Sequence, residues 1–108
     1  MELLAETEIP NRLAGELPEW RYSNKCLLRS YTTRGWPGTL MVVNAIAHLA
    51  EAAWHHPDLT VTYKAVQISL TTHSASGVTE RDLELAGKIE ETVGWKSALP
   101  ENGSSSQL

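Results

Sequence analysis

The sequence predicts an α+β domain with two layers, in which helices cover one face of a β-sheet. Segments of alternating polarity occur in two pairs, and each pair is followed by a stretch whose apolar residues recur at helical spacing. The resulting order is β-β-α-β-β-α, and helices of this length can cover one face of an antiparallel sheet. Because the β-β-α unit occurs twice, a mixed sheet is the alternative, and the order of the strands stays open.

Size and charge narrow the class of protein. With 108 residues and 42% hydrophobic residues, the chain has room for one small packed domain. A net charge of −4 and nine scattered Lys and Arg residues argue against nucleic-acid binding. The longest uncharged apolar stretch, residues 35–47, is shorter than the roughly 20 residues that cross a bilayer. The acidic start and the single cysteine, Cys26, favour a cytoplasmic protein.

Composition divides the chain into three parts. Residues 1–17 form a polar, acidic N-terminal segment, and residues 18–96 form the predicted domain. Residues 97–108 are rich in Ser and contain Pro and Gly, which predicts a flexible C-terminal tail. There is no internal repeat.

The first elements are short. Pro10 fits a first helical turn and is followed by Leu13 and Leu17, so a helix is an alternative to an irregular N-terminal segment. Pro18 blocks its continuation. Residues 20–32 are rich in aromatic and β-branched residues that alternate with polar ones, which predicts two strands joined by a turn near residues 23–25.

A long helix is predicted over residues 39–54. Its apolar positions recur at spacings of three and four, at Val42, Val43, Ile46, Leu49, Ala50 and Ala53. Pro37 fits the first turn before this stretch. Pro57 ends the helix because it lacks an N–H and restricts the residue before it.

The second half repeats this order. Alternation returns and changes face between Tyr63 and Val66, which predicts a turn or a bulge. Residues 74–77 are predicted to form a loop. Thr79 and Asp82 have capping-box spacing and open a second helix. The apolar positions of that helix are Leu85, Ile89 and Val93.

The histidines are the candidate reactive groups, because imidazole titrates near neutral pH. His55 and His56 end the long helix, and His73 ends the strand that follows. Taken alone, the first two are typical of a solvated helix terminus, and His73 of a polar strand end. His48 and Glu51 share a helix face with His55, which leaves metal binding as an alternative. The spacing differs from the H-E-x-x-H zinc pattern, so no metal site is predicted.

The string from residue 51 to residue 82 resembles the pattern of the pterin-4a-carbinolamine dehydratases. That pattern has an acidic residue, three spacers, His-His-Pro, an aromatic residue, Thr-His and a later Asp. The matching positions are Glu51, His55, His56, Pro57, Tyr63, Thr72, His73, Gly77, Thr79 and Asp82. The agreement covers spacing as well as residue type, and a looser resemblance extends over residues 13–95.

The resemblance implies a four-stranded antiparallel sheet with helices on one face, assembled as a homodimer or tetramer. It also implies the loss of water from 4a-hydroxytetrahydropterin to give quinonoid dihydropterin, with neither a metal nor a cofactor. The leaving hydroxide needs a proton, and the neighbouring ring nitrogen must lose one. Two imidazoles on opposite sides of the substrate can perform both transfers.

The family roles carry over to named positions. The catalytic positions are His55, His56 and His73. Of these, His56 and His73 are the acid and the base in an order that stays open, and His55 lines the pocket. The substrate-binding positions are Glu51, Pro57, Thr71, Thr72, Asp82 and Trp20. Glu51 would bind the amino-pyrimidine edge of the substrate, and Trp20 would form a wall of the pocket.

Three of these positions have structural alternatives. Glu51 also fits a solvated helix carboxylate, Asp82 a capping residue, and Trp20 a core side chain.

The sequence also departs from the family pattern. Trp54 stands before His55, where the enzymes often have a polar or acidic residue, and the chain has no Phe. The same fold serves without catalysis in RuBisCO assembly factors of carboxysome-bearing bacteria and chloroplasts. A carboxysome-associated RuBisCO partner is therefore the alternative function, and a module that only binds pterin is a third. The retained histidines favour the enzyme.

Overall fold

The computed structural model describes residues 2–94, which contain three α-helices and one four-stranded sheet. The elements are α1 (Ile9–Glu16), β1 (Arg21–Ser23), β2 (Cys26–Thr32), α2 (Trp36–Ala53), β3 (Asp58–Thr62), β4 (Ala65–Leu70) and α3 (Glu80–Ile89). The sheet order is β1-β2-β4-β3, and every neighbouring pair is antiparallel. The α+β prediction is thus confirmed, and the mixed sheet is excluded. The predicted tail lies outside the described residues.

Two tight hairpins build the sheet. Asn24 and Lys25 connect β1 to β2 with φ angles of 52° and 62°, as a two-residue turn with the twist of the strands requires. Tyr63 and Lys64 connect β3 to β4, and Thr62 pairs with Ala65 directly before and after them. This second turn is the change of face that the sequence predicts.

The core lies between the sheet and the helices. Val66, Ile68 and Leu70 of β4 are buried on the helix side, whereas Gln67 between them is exposed. This alternation follows from the two-residue period of a strand with one buried face. From α2, Val42, Ile46 and Ala50 complete the contact at the spacing that the sequence predicts.

The structure adds two details to the predicted helices, one at the N-terminal segment and one at the start of α2. The N-terminal segment does form a helix, and α1 buries Ile9 and Leu13 in the common core. Helix α2 begins at Trp36, three residues before residue 39, because Pro37 fits a first turn that needs no N–H. Within residues 2–94, no helix has the length and apolar character needed to cross a membrane.

One carboxylate ties the far end of α3 to the sheet. Glu90 begins a single π-helical turn, Glu90–Gly94, directly after α3. Its Oε1 accepts hydrogen bonds from Trp20 Nε1 (2.9 Å), Arg29 Nε (2.9 Å) and Tyr31 Oη (2.7 Å), and its Oε2 accepts one from Arg29 Nη2 (3.0 Å). The Arg29 guanidinium also lies 4.0 Å from the Tyr31 ring centroid. The sequence patterns do not single out Glu90, because its donors lie about 60 to 70 positions earlier.

The charge of Glu90 is favoured by these donors. Partial burial on its own would raise the pKa of the carboxyl, but the hydrogen bonds from Arg29, Tyr31 and Trp20 outweigh it and lower the pKa below 4.5. The opposite holds for the phenol, since burial and the Glu90 carboxylate raise the pKa of Tyr31. The hydrogen bonds to Glu90 therefore favour its ionised form in the folded protein.

Replacing Glu90 should make stability less sensitive to acid. We expect Glu90→Gln to lower the free energy of unfolding by about 1–2 kcal/mol at pH 7, because the charge-assisted bonds to Arg29 are lost. The folded pKa lies below the unfolded one, so this stabilisation is complete above pH 4.5 and is lost as the pH falls through the folded value. The difference in the free energy of unfolding between wild type and variant should therefore become smaller as the pH falls.

Urea denaturation at a series of pH values measures this. Glu91→Gln is the matched control, because Glu91 is adjacent and exposed. A difference for Glu90→Gln that is constant between pH 7 and pH 3 would contradict the prediction.

Candidate active site

The end of α2 fixes where the His-His-Pro segment begins. Trp54 adopts a left-handed conformation, with φ 53° and ψ 48°. The Trp54 N–H donates to the carbonyl of Glu51 (3.1 Å), and the His55 N–H donates to that of Ala50 (3.0 Å). This is the Schellman pattern, in which a reversal satisfies the last helix carbonyls. The chain therefore leaves the helix abruptly at Trp54.

Arg81 holds this reversal from the outside. Its Nη2 donates to the carbonyl oxygens of Ala53 (3.3 Å) and Trp54 (2.7 Å), which puts a positive charge at the C-terminal end of α2. Arg81 belongs to the first turn of α3. The end of α2 and the start of α3 are thus joined. No local pattern in the sequence indicates this role.

A buried carboxylate joins three segments of the chain. Asp82 is completely buried, and its Oδ1 lies 2.5 Å from His55 Nε2. Its Oδ2 accepts hydrogen bonds from Thr72 Oγ1 (2.7 Å) and from the Thr79 N–H (2.8 Å). We call these four residues, His55, Thr72, Thr79 and Asp82, the buried network. All four are buried, so each bond replaces a lost contact with water.

The hydroxyl groups of the network have a defined direction. Thr72 Oγ1 and Thr79 Oγ1 are 2.8 Å apart. The Thr72 hydroxyl donates its single hydrogen to Asp82, so the Thr79 hydroxyl must donate to Thr72. Thr79 Oγ1 in turn accepts from the Arg81 N–H (3.2 Å), which completes the capping box that the sequence predicts.

The histidine after His55 is exposed. His56 Nε2 lies 2.9 Å from Glu51 Oε1, and the two side chains are 52% and 67% exposed. The Trp54 ring meets the His56 ring edge to face, at 5.1 Å and 82°. Within residues 2–94 the other Glu51 oxygen, Oε2, makes no hydrogen bond. A carboxylate oxygen and an imidazole therefore face solvent side by side.

His73 is exposed on a second loop. It opens a short 3-10 turn, His73–Ala75, rather than ending β4, which stops at Leu70. Backbone hydrogen bonds between Thr72 and Gly77 close the base of this loop. Thr71 lies before it, and its hydroxyl donates to the Lys25 carbonyl (2.9 Å). The loop is thus held at both of its ends.

The buried network accounts for the convergence of the predicted residues. His56 follows His55 in the chain, and His73 follows Thr72, so each exposed histidine is the neighbour in sequence of a residue bonded to Asp82. Half-buried Pro57 follows on one side, and Glu51 lies one turn earlier in α2. The structure therefore joins the segments that carry these residues, and a common site formed by their side chains remains a prediction.

Other predicted residues lie elsewhere or are covered. Trp20 is 3% exposed and bonds to Glu90, about 12 Å along α3 from Asp82. This location matches the core alternative and not a pocket wall. The substrate contact predicted for Asp82 and the pocket-lining position predicted for His55 remain predictions. Both residues are buried, at 8% exposure for His55 and 0% for Asp82. Within residues 2–94, no group of three or more His, Cys, Asp or Glu is placed to bind a metal, and His48 is exposed.

Comparison with known proteins identifies the family of the chain. The family model for Pterin 4 alpha carbinolamine dehydratase matches residues 2–92. The chain belongs to the pterin-4a-carbinolamine dehydratase family. An Aquifex aeolicus relative, provisionally named pterin-4-alpha-carbinolamine dehydratase, is 48% identical over 83% of this chain and 90% of its own. A Chloroflexus aurantiacus relative with the same provisional name is 42% identical over 87% of this chain and its full length.

Solved structures confirm the dehydratase fold. A transcriptional coactivator/pterin dehydratase from Brucella melitensis superposes with a TM-score of 0.78, at 29% identity, over 85% of this chain and 99% of that one. A pterin dehydratase-like protein, identified as a RuBisCO assembly factor in the α-carboxysome, superposes with a TM-score of 0.58 over 69% and 87%. Its identity is 18%, so the second likeness concerns the fold alone.

Removing the central carboxylate should destabilise the dehydratase domain. We expect Asp82→Ala to lower the free energy of unfolding by about 3 kcal/mol, because buried donors on Thr72 and Thr79 lose their acceptor. Urea denaturation measures the loss. Glu84→Ala, an exposed position on the same helix, is the control and should change stability by less than about 0.5 kcal/mol. Equal effects of the two variants would show that the network does not hold the site together.

Proposed function

We propose that the protein catalyses the loss of water from 4a-hydroxytetrahydropterin, with His56 and His73 as general acid and base. One observation carries the proposal: in a chain of the dehydratase family, each of two exposed histidines directly follows a residue that is hydrogen-bonded to the same buried carboxylate. In this reaction the bond between the ring carbon and the hydroxyl oxygen breaks. A double bond then forms to the neighbouring nitrogen, and that nitrogen gives up its proton.

Each exposed group has a part in that step. One imidazole protonates the departing hydroxide, which leaves as water, and the other accepts the proton from the ring nitrogen. Glu51 Oε2 makes no hydrogen bond within residues 2–94, so it can accept the N–H groups of the amino-pyrimidine edge. His55 and Asp82 act as positioning residues, because the fold covers both. The chemistry needs neither a metal nor a cofactor.

The histidines provide the direct test. We expect His56→Ala and His73→Ala each to slow dehydration by roughly 10²- to 10⁴-fold, the usual contribution of general acid–base catalysis. Stopped-flow measurement of 4a-hydroxytetrahydropterin consumption gives the rates. His48→Ala is the matched control, since it removes an exposed imidazole from α2, the helix that precedes His56, and its rate should equal that of the wild type.

Two outcomes would contradict the proposal in different ways. Full activity in the His56→Ala, His73→Ala double variant would show that the acid and base lie elsewhere. No acceleration by the wild-type protein would exclude the dehydratase, and the yield of soluble RuBisCO on co-expression would then test the assembly-factor alternative.

A partner surface is the second part of the proposal. Trp36, Leu40 and Met41 on the first half of α2 are 46%, 40% and 49% exposed. Glu51 lies about 15 Å further along the helix axis than Met41, so this apolar patch is remote from the histidines. Exposed apolar side chains grouped in this way are typical of protein–protein contacts. We propose that a second copy of the cytoplasmic protein covers this patch in a homodimer or tetramer.

Light scattering tests this self-association. We expect Met41→Glu to reduce the measured mass to that of the monomer, because a buried unpaired carboxylate is costly. Asn44→Glu places the same charge on an exposed polar position of α2 and should leave the mass unchanged. A monomeric wild-type protein would exclude the homo-oligomer.

A further inference from the structure

Trp54 occupies a backbone position that disfavours it. Its φ of 53° lies in the left-handed region, which Gly and Asn adopt readily and which crowds the Cβ of other residues. The helix reversal needs this conformation, as the hydrogen bonds from Trp54 and His55 show. A large side chain is thus present where the fold favours a small one.

Burial does not compensate for this strain. Trp54 is 71% exposed, the largest exposed fraction among the large hydrophobic residues of the described chain. Its indole contacts the His56 ring, while Arg81 holds the Trp54 carbonyl from the other side. The backbone conformation therefore fixes the point from which the indole projects, but the exposed indole does not add to the packing of the core. Strain of this kind, maintained beside reactive groups, indicates a function.

The surroundings of Trp54 differ from those of the other exposed tryptophan of the described chain. Trp36 belongs to the apolar patch with Leu40 and Met41, as a protein contact requires. Trp54 instead contacts the His56 imidazole, which is itself paired with the Glu51 carboxylate. One aromatic face next to a few polar groups is the usual composition of a small-molecule site.

We propose that Trp54 is a specificity residue on which the flat bicyclic ring of the substrate stacks. The inference rests on the proposed dehydratase function and deepens it. A ring parallel to the indole stands nearly upright to the His56 imidazole, because the two protein rings are 82° apart. Glu51 pairs with His56 through Oε1, which leaves Oε2 to accept N–H donors from the edge of such a ring. The site therefore selects planar heterocycles that carry such donors.

Binding of 7,8-dihydropterin tests the stack. Because a base stacked on an aromatic side chain contributes about 1–3 kcal/mol, we expect Trp54→Leu to weaken binding by roughly 5- to 150-fold. Trp54→Phe keeps an aromatic ring and should retain most of the affinity. Tyr63→Leu is the matched control, because Tyr63 is an aromatic residue 62% exposed in the turn between β3 and β4 and belongs to neither the proposed site nor the apolar patch; it should bind like the wild type. Titration calorimetry gives the three dissociation constants without relying on tryptophan fluorescence.

Stability and kinetics separate stacking from folding. Trp54→Asn relieves the left-handed strain, so its melting temperature should rise while its affinity falls. Stacking acts on substrate and transition state alike, so Trp54→Leu should raise KM more than it lowers kcat. A lower melting temperature for Trp54→Asn would overturn the argument from strain.

The remaining outcomes distinguish this inference from the proposed function. If the wild type turns over substrate but Trp54→Leu binds dihydropterin equally well, the stacking inference is wrong and the dehydratase proposal stands. If the wild type neither binds dihydropterin nor accelerates dehydration, both are wrong.

Discussion

The candidate site depends on one carboxylate without access to water. A buried charge costs several kcal/mol unless hydrogen bonds replace its hydration, and Asp82 obtains these bonds from a helix cap, a strand end and a helix end. The donors come from residues 55, 72 and 79, so the carboxylate can be satisfied only when three segments meet. Because Asp82 is buried, its hydrogen bonds form together, when all three segments are in place. This explains why loops that carry exposed histidines can hold fixed positions.

Elements that depend on neighbouring residues could be predicted from the sequence. Helix α2, the turn at residues 24–25 and the capping box of Thr79 and Asp82 all follow from patterns within one or two turns. The antiparallel pairing needed the family resemblance as well, since the alternation of polarity is compatible with a mixed sheet. Three pairs of the family positions also bond to one another in the structure: His55 with Asp82, His56 with Glu51, and Thr72 with Asp82.

The contacts that the sequence could not supply are those between distant segments. Glu90 receives donors from residues 20, 29 and 31, and Arg81 reaches back to the carbonyl of residue 54. Neither residue stands out in a pattern, because a charged residue on a helix is ordinarily solvated. Trp20 shows the opposite error. A tryptophan suits a pocket wall, but Trp20 is buried and donates its indole N–H to the Glu90 carboxylate. Such pairings are fixed by tertiary packing alone.

The buried network and the exposed histidines contribute differently to folding, and this difference has an evolutionary consequence. Selection for folding acts strongly on Asp82, Thr72 and Thr79, whose loss leaves polar atoms stranded, and weakly on the histidines at positions 56 and 73. A lineage that no longer needed the original reaction would therefore lose His56 and His73 first and would keep the fold. Within such a family, the descent of the fold is recorded in the interior, while the history of the activity is recorded in a handful of surface positions.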